Sequence, residues 1–187
     1  MLNDDGLIWR TRFTNAIYLQ NKLWPNDTEV SLHMTPVTNN AQEQHLAFDK
    51  IKYVFAKTLQ NSLFVQSTEE QYNKFSNLDN CIVDFFDKPI DQIVGICLLS
   101  KLNAMTDEFL KINVVEIESW QGENLRFVIS ENSPEYDLLK DCKIEKPWWN
   151  NPLPVFSNFT KQSLTWSELG FIIENTNEKF KIIKGGT

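Results

Sequence analysis

The chain is poor in the residues on which most metal, nucleophile and phosphate chemistry depends. It has two histidines, three cysteines, three arginines and six glycines among 187 residues. A zinc site wants three or four ligands with at least one locally spaced pair. His33 and His45 stand twelve residues apart, and neither has a second His or Cys within five positions. No metal is therefore expected. Cys81, Cys97 and Cys142 make an odd number with no C-x-x-C pair. Free thiols in a reducing, cytoplasmic compartment are the expectation. Cys97 falls in an apolar stripe and Cys142 between Asp141 and Lys143, so neither has the cationic setting that makes a reactive thiolate.

The few glycines fall in no G-x-x-x-x-G-K-[ST], G-x-G-x-x-G or G-x-S-x-G pattern. Each of those chemistries needs backbone that only glycine supplies at those points. No catalytic residue and no cofactor is assigned. No stretch approaches the roughly 18 consecutive apolar residues of a membrane span, and residues 1–20 lack a basic-then-apolar secretory order.

The formal charge is −7, which repels phosphate backbones at long range. Arg10, Arg12 and Arg126 are the only arginines. Lys140, Lys143 and Lys146 are interleaved with Asp137, Asp141 and Glu145, which cancel their field. A nucleic-acid partner is disfavoured.

What is abundant is asparagine (19), lysine (15) and isoleucine (15), against five alanines. That skew follows AT-rich codons and points to a bacterium or phage as the source. Hydrophobic residues make up 42% and charged residues 23%, a composition that builds one globular domain over 1–187.

Along the chain, residues 7–24 place Trp9, Phe13, Ala16, Ile17, Leu23 and Trp24 at helical spacing, and a helix is expected there, ending at Pro25. Residues 29–37 alternate as a strand. Residues 41–60 carry a broad apolar helical face, with Leu46, Phe48, Ile51, Val54, Phe55 and Leu59. Residues 62–66 read as a short strand or a frayed helix end. Thr68 with Gln71 reads as a capping box for a short helix to Phe75. Residues 81–86 are rich in β formers. Pro89 opens a further helix to 105, with Lys101 the only polar residue in its stripe and Gly95 placed for close packing. Strands are expected at 110–118 and 125–130, and a hairpin at 170–184.

The fold class expected from this order is α+β. Helices lie mainly in the N-terminal part and pack on a mainly antiparallel sheet built largely by the C-terminal half.

Two constellations are candidates for function. Asp84, Asp87, Asp91 and Glu116 are carboxylates that a metal-dependent hydrolase could use, if the fold brought them together. Trp148 and Trp149, among six tryptophans, lie in the proline-stiffened run 147–156. Adjacent residues of extended chain point to opposite faces, so one indole is expected at the surface as an interface anchor. The functional expectation is a non-enzymatic interaction or assembly protein, binding a protein partner or self-associating as a homo-oligomer. The hydrolase is the alternative.

Overall fold

The computed structural model describes residues 6–75, 77–78, 82–106, 108–159 and 164–173. Strands β1 (Leu7–Leu19) and β2 (Lys22–Pro36) form a long antiparallel hairpin. The helix α1 (Ala41–Tyr53) follows and runs on into a π-helical turn, Val54–Leu59. After it come β3 (Ser62–Gln66), α2 (Glu69–Phe75), β4 (Ile82–Phe85), α3 (Asp91–Thr106), β5 (Leu110–Ser119) and β6 (Phe127–Ser130). The sheet order is β4-β3-β1-β2-β5-β6.

The helix expected over 7–24 is a strand hairpin instead. The apolar positions 9, 13 and 17 suit a helical stripe, but they also alternate with Arg10, Arg12 and Thr14, which face the other way. Phe13, Asn15 and Ile17 are buried, while Arg10, Arg12 and Thr14 are exposed. The turn is Gln20-Asn21, both with positive φ (52° and 61°), the geometry of a two-residue primed turn built here without glycine. Pro25 is tolerated inside β2 because β5 pairs only from Thr28 onward, leaving β2 an edge at that point.

The expected arrangement is also corrected. Helices are not mainly N-terminal, and the sheet is not mainly antiparallel but mixed. The pairs β1–β3 and β3–β4 are parallel and form one wing. The pairs β1–β2, β2–β5 and β5–β6 are antiparallel. Four of the six strands precede residue 86. The description as α+β stands at the coarse level. Of the hairpin expected at 170–184, residues 171–173 are irregular and the remainder from 174 lies outside the described residues.

The main core lies between α1, α3 and one face of the sheet, with Phe13, Leu32, Ile51, Ile96, Leu98 and Ile117 fully or almost fully buried. α3 is buried on nearly every side, which explains its lack of a polar face. Gly95 lets it approach β5 and β6 closely, since a Cβ there would collide with Ile129 Cδ1 and lie 3.1 Å from Ile117 Cγ2. A smaller cluster of Tyr18, Leu63, Val65, Phe75 and Ile82 sits on the opposite face of the parallel wing, under α2. Thr68 caps α2, its Oγ1 accepting the Gln71 N–H at 3.3 Å. The expected box is only half formed, because the Gln71 side chain accepts the Gln66 N–H at 2.8 Å and the Thr68 N–H goes to the Gln66 carbonyl. Among the described residues, no helix is long and apolar enough to cross a membrane.

Candidate functional site

The four carboxylates serve four separate local purposes. Asp84 on β4 is fully buried and accepts both the backbone N–H and the side-chain amide of Asn158, each at 2.7 Å. Asp87 is exposed and accepts from the Lys88 N–H at 2.7 Å. Asp91 opens α3 and accepts the Ser119 hydroxyl at 2.7 Å. Glu116 lies on the other face of β5, 2.6 Å from His33 Nε2. Among the described residues, no three His, Cys, Asp or Glu side chains are grouped to hold a metal ion. The hydrolase alternative therefore lacks the convergence it needs.

Trp148 and Trp149 are both buried, at 1% and 0% exposure, which corrects the expectation of one surface indole. The reason is local. Trp148–Asn150 is a turn of 3-10 helix and not extended chain, so adjacent side chains are not opposed. The two indoles meet edge to face with centroids 5.5 Å apart. Trp148 donates to the Asp84 carbonyl at 2.5 Å, and the Trp149 indole N–H is buried with no acceptor among the described residues. Neither ring offers area to a partner in this chain.

What holds that loop in place is Lys101, the one polar residue in the stripe of α3. Its ammonium is fully buried and donates to the carbonyls of Trp148 (3.1 Å), Asn151 (2.6 Å) and Leu153 (2.6 Å). It also lies 4.7 Å from the centre of the Phe156 ring. Burial pulls this lysine down to about 7, while the three carbonyls favour the proton and act against that shift. Burial prevails, because no acidic side chain bonds the ammonium among the described residues. Sequence pattern held one signal of this, a lone cation in an otherwise apolar helical stripe.

The cysteines are unremarkable chemically. Cys97 is fully buried and its thiol is pushed well up by that burial, Cys142 is half-buried, and Cys81 lies outside the described residues. His45 is exposed beside Asp49, 3.4 Å away on the next turn of α1.

The face of the sheet opposite α1 and α3 is charged and carries all three arginines. Arg12 grips Asp27 with two nitrogens, Nε at 2.7 Å and a terminal nitrogen at 2.5 Å. Arg126 reaches Glu118 at 2.8 Å, Glu116 at 3.5 Å and Glu29 at 3.8 Å. Glu116 links this group to His33. Arg10, Arg12, Asn113 and Val128 on the same face are exposed. Strand alternation puts Arg10, Arg12 and Val128 there, because Phe13 and Ile129 fill the core, and Asn113 reaches that face where the β2–β5 register shifts.

A second feature is a cleft of about 260 Å³ between the start of α3 and the β5–β6 turn. Asp91 and Gly122 line it, with Leu19, Leu125 and Phe127 as apolar walls.

No protein-family model matches the chain, and no curated protein matches it either. Among solved structures, a catalytic-residue mutant of Plasmodium vivax 6-pyruvoyltetrahydropterin synthase is similar at a TM-score of 0.39 and 10% identity. The match covers 66% of this chain and 95% of that one. A likeness at that level bears on neither activity nor partners.

Proposed function

We propose that this protein is a non-enzymatic interaction or assembly protein that associates with a second copy of itself through the charged face of β1, β2, β5 and β6. The single observation that carries the reading is the interleaving of both signs on that face, Arg12 with Asp27 and Arg126 with Glu29, Glu116 and Glu118. A contact between identical patches must be self-complementary, and a patch carrying both signs side by side meets that need. Arginine with exposed apolar neighbours, here Arg10 with Ile8 and Arg126 with Val128, is the composition that interfaces favour. The reading places such an assembly in a reducing compartment of a bacterial or phage-infected cell.

The test is sedimentation velocity on the intact chain over a range of concentrations, with Arg10→Glu and Val128→Glu as variants. Both residues are exposed, so the fold is left intact. The reading expects a dimer or larger species in the parent and a shift toward monomer in the variants. A parent that stays monomeric at about 100 μM contradicts self-association, since protein contacts of ordinary size bind more tightly than that. An oligomer indifferent to both substitutions moves the contact off this face.

A further inference from the structure

Asp91 is a carboxylate with only half of its hydrogen-bonding capacity met. Its residue is 4% exposed. Oδ1 accepts the Ser119 hydroxyl, and Ser119 Oγ in turn accepts the Gly122 N–H at 3.2 Å. Oδ2 is buried and has no hydrogen-bond partner among the described residues. It occupies the space where a Cβ on Gly122 would stand, so bare glycine backbone is what covers it. A buried carboxylate oxygen left unpaired is costly and is retained where something outside the chain completes it.

The surroundings say what that is. Asp91 forms part of the cleft between α3 and the β5–β6 turn, whose polar lining is Gln92, Gln121 and Glu123 and contains no cationic side chain. Its walls are Leu19, Leu125 and Phe127. We infer that this cleft is a binding site for a small organic cation, an ammonium group on an apolar body, with Asp91 as the anchoring carboxylate. The negative floor selects the charge, and the walls accept a single ring or a short branched chain. Burial pushes the Asp91 carboxyl up from its ordinary value of 3.8, against the lowering effect of the Ser119 hydroxyl and backbone and with a smaller upward push from Glu118.

The turn over Oδ2 is what an entering ammonium has to lift, at the cost of the Gly122 N–H bond to Ser119 Oγ. It closes with two residues in the left-handed region, Glu123 (φ 56°) and Asn124 (φ 58°). Glutamate has no special tolerance for that region. An ammonium reaches Oδ2 by lifting this turn, and Gly122 presents no side chain to block it.

The experiment is a titration of the ¹⁵N-labelled full chain with benzylamine, with benzyl alcohol as the neutral isostere. Nα-acetyl-lysine methylamide tests whether a protein side chain could supply the same ammonium. Benzylamine is expected to shift the amides of Ile90, Gln92, Gly122 and Leu125 saturably, with benzyl alcohol at least about tenfold weaker. The lysine derivative binding more tightly than benzylamine assigns the same site to a side chain, and weaker binding assigns it to a free amine. Asp91→Asn is expected to weaken benzylamine about tenfold or more. Should that variant fold poorly, Leu125→Ala at the exposed rim is expected to weaken binding by about threefold with an unchanged melting temperature. Equal affinity for the amine and the alcohol overturns the inference. So does the absence of saturable shifts with either amine up to about 10 mM, or binding unaffected by Asp91→Asn.

Discussion

The helix α3 buries one acidic and one basic side chain three turns apart, and they are treated in opposite ways. Lys101 has three donors and three carbonyl acceptors, so its charge is fully engaged in holding the loop at 147–153. Asp91 has one oxygen held by Ser119 and one with no partner. The lysine end is a structural knot, packed with Trp148, Trp149 and Phe156. The aspartate end borders a cleft. A buried polar group whose hydrogen bonds are all met inside the chain is accounted for by the fold, whereas one left incomplete marks a place for a ligand.

The contrast can be broken first at the lysine end. Trp148→Ala removes a fully buried indole and the bond to the Asp84 carbonyl, and a loss of about 3–5 kcal/mol is expected in urea denaturation. Trp149→Ala is expected to fall in the same range. Sedimentation of both variants should match the parent, because neither ring reaches the surface; a changed assembly state with unchanged stability would restore the tryptophans as an interface. Lys101→Met keeps the volume but leaves the Asn151 carbonyl without a donor, while the Trp148 and Leu153 carbonyls keep the N–H groups of Asn151 and Val155, and about 1–3 kcal/mol of stability should be lost. A neutral result there means that water reaches the Asn151 carbonyl.

At the aspartate end the effects are smaller. Gly122→Ala drives a methyl into Asp91 Oδ2, and a cost of about 1–3 kcal/mol is expected, relieved when Asp91→Ala is combined with it in a double-mutant cycle. Additive losses would show that the turn and the carboxylate do not touch. Asp91→Asn keeps an acceptor for Ser119 and removes a buried charge, so stability should stay within about 1 kcal/mol of the parent.

The two ends also respond to pH with opposite sign. Lys101 is lowered from its ordinary 10.5 to about 7, so between those values the unfolded chain binds the proton more tightly. Its contribution therefore makes the fold more stable as pH rises from about 7 to 10.5. Asp91 is raised above 3.8, so the folded chain binds that proton more tightly. Its contribution weakens the fold as pH rises from 3.8 through the raised value. Comparing the pH slopes of parent, Lys101→Met and Asp91→Asn isolates each.

Much of the helical part could be read from residues. The stripe of α1, the Thr68 cap, Pro89 before α3 and the close approach at Gly95 are all local signals. Alternation marks β5 as a strand, but the register shift at Asn113 turns Val115 into the core where an unbroken period would place Val114. The β1–β2 hairpin escaped because its turn carries Gln20-Asn21 with no glycine, and because positions 9, 13 and 17 fit both periods. The parallel pairing of β3 with β1 joins residues some forty-seven positions apart, Asn15 with Ser62, and no local pattern encodes it. The flanking prolines of the tryptophan pair suggest extended chain, whereas a 3-10 turn forms there and turns both indoles inward. Asp91 was visible as a carboxylate, but its isolation depends on Ser119 and Gly122, which only the packing of α3 on β5 brings to it.

The most direct test of the contrast is a ¹³C NMR titration of the Asp91 carboxyl carbon in the parent chain. The account expects a midpoint above 3.8, because burial without a donor on Oδ2 disfavours the charge. A midpoint at or below 3.8 would mean that the second oxygen already has its partner, and the distinction between the two ends of α3 would fail.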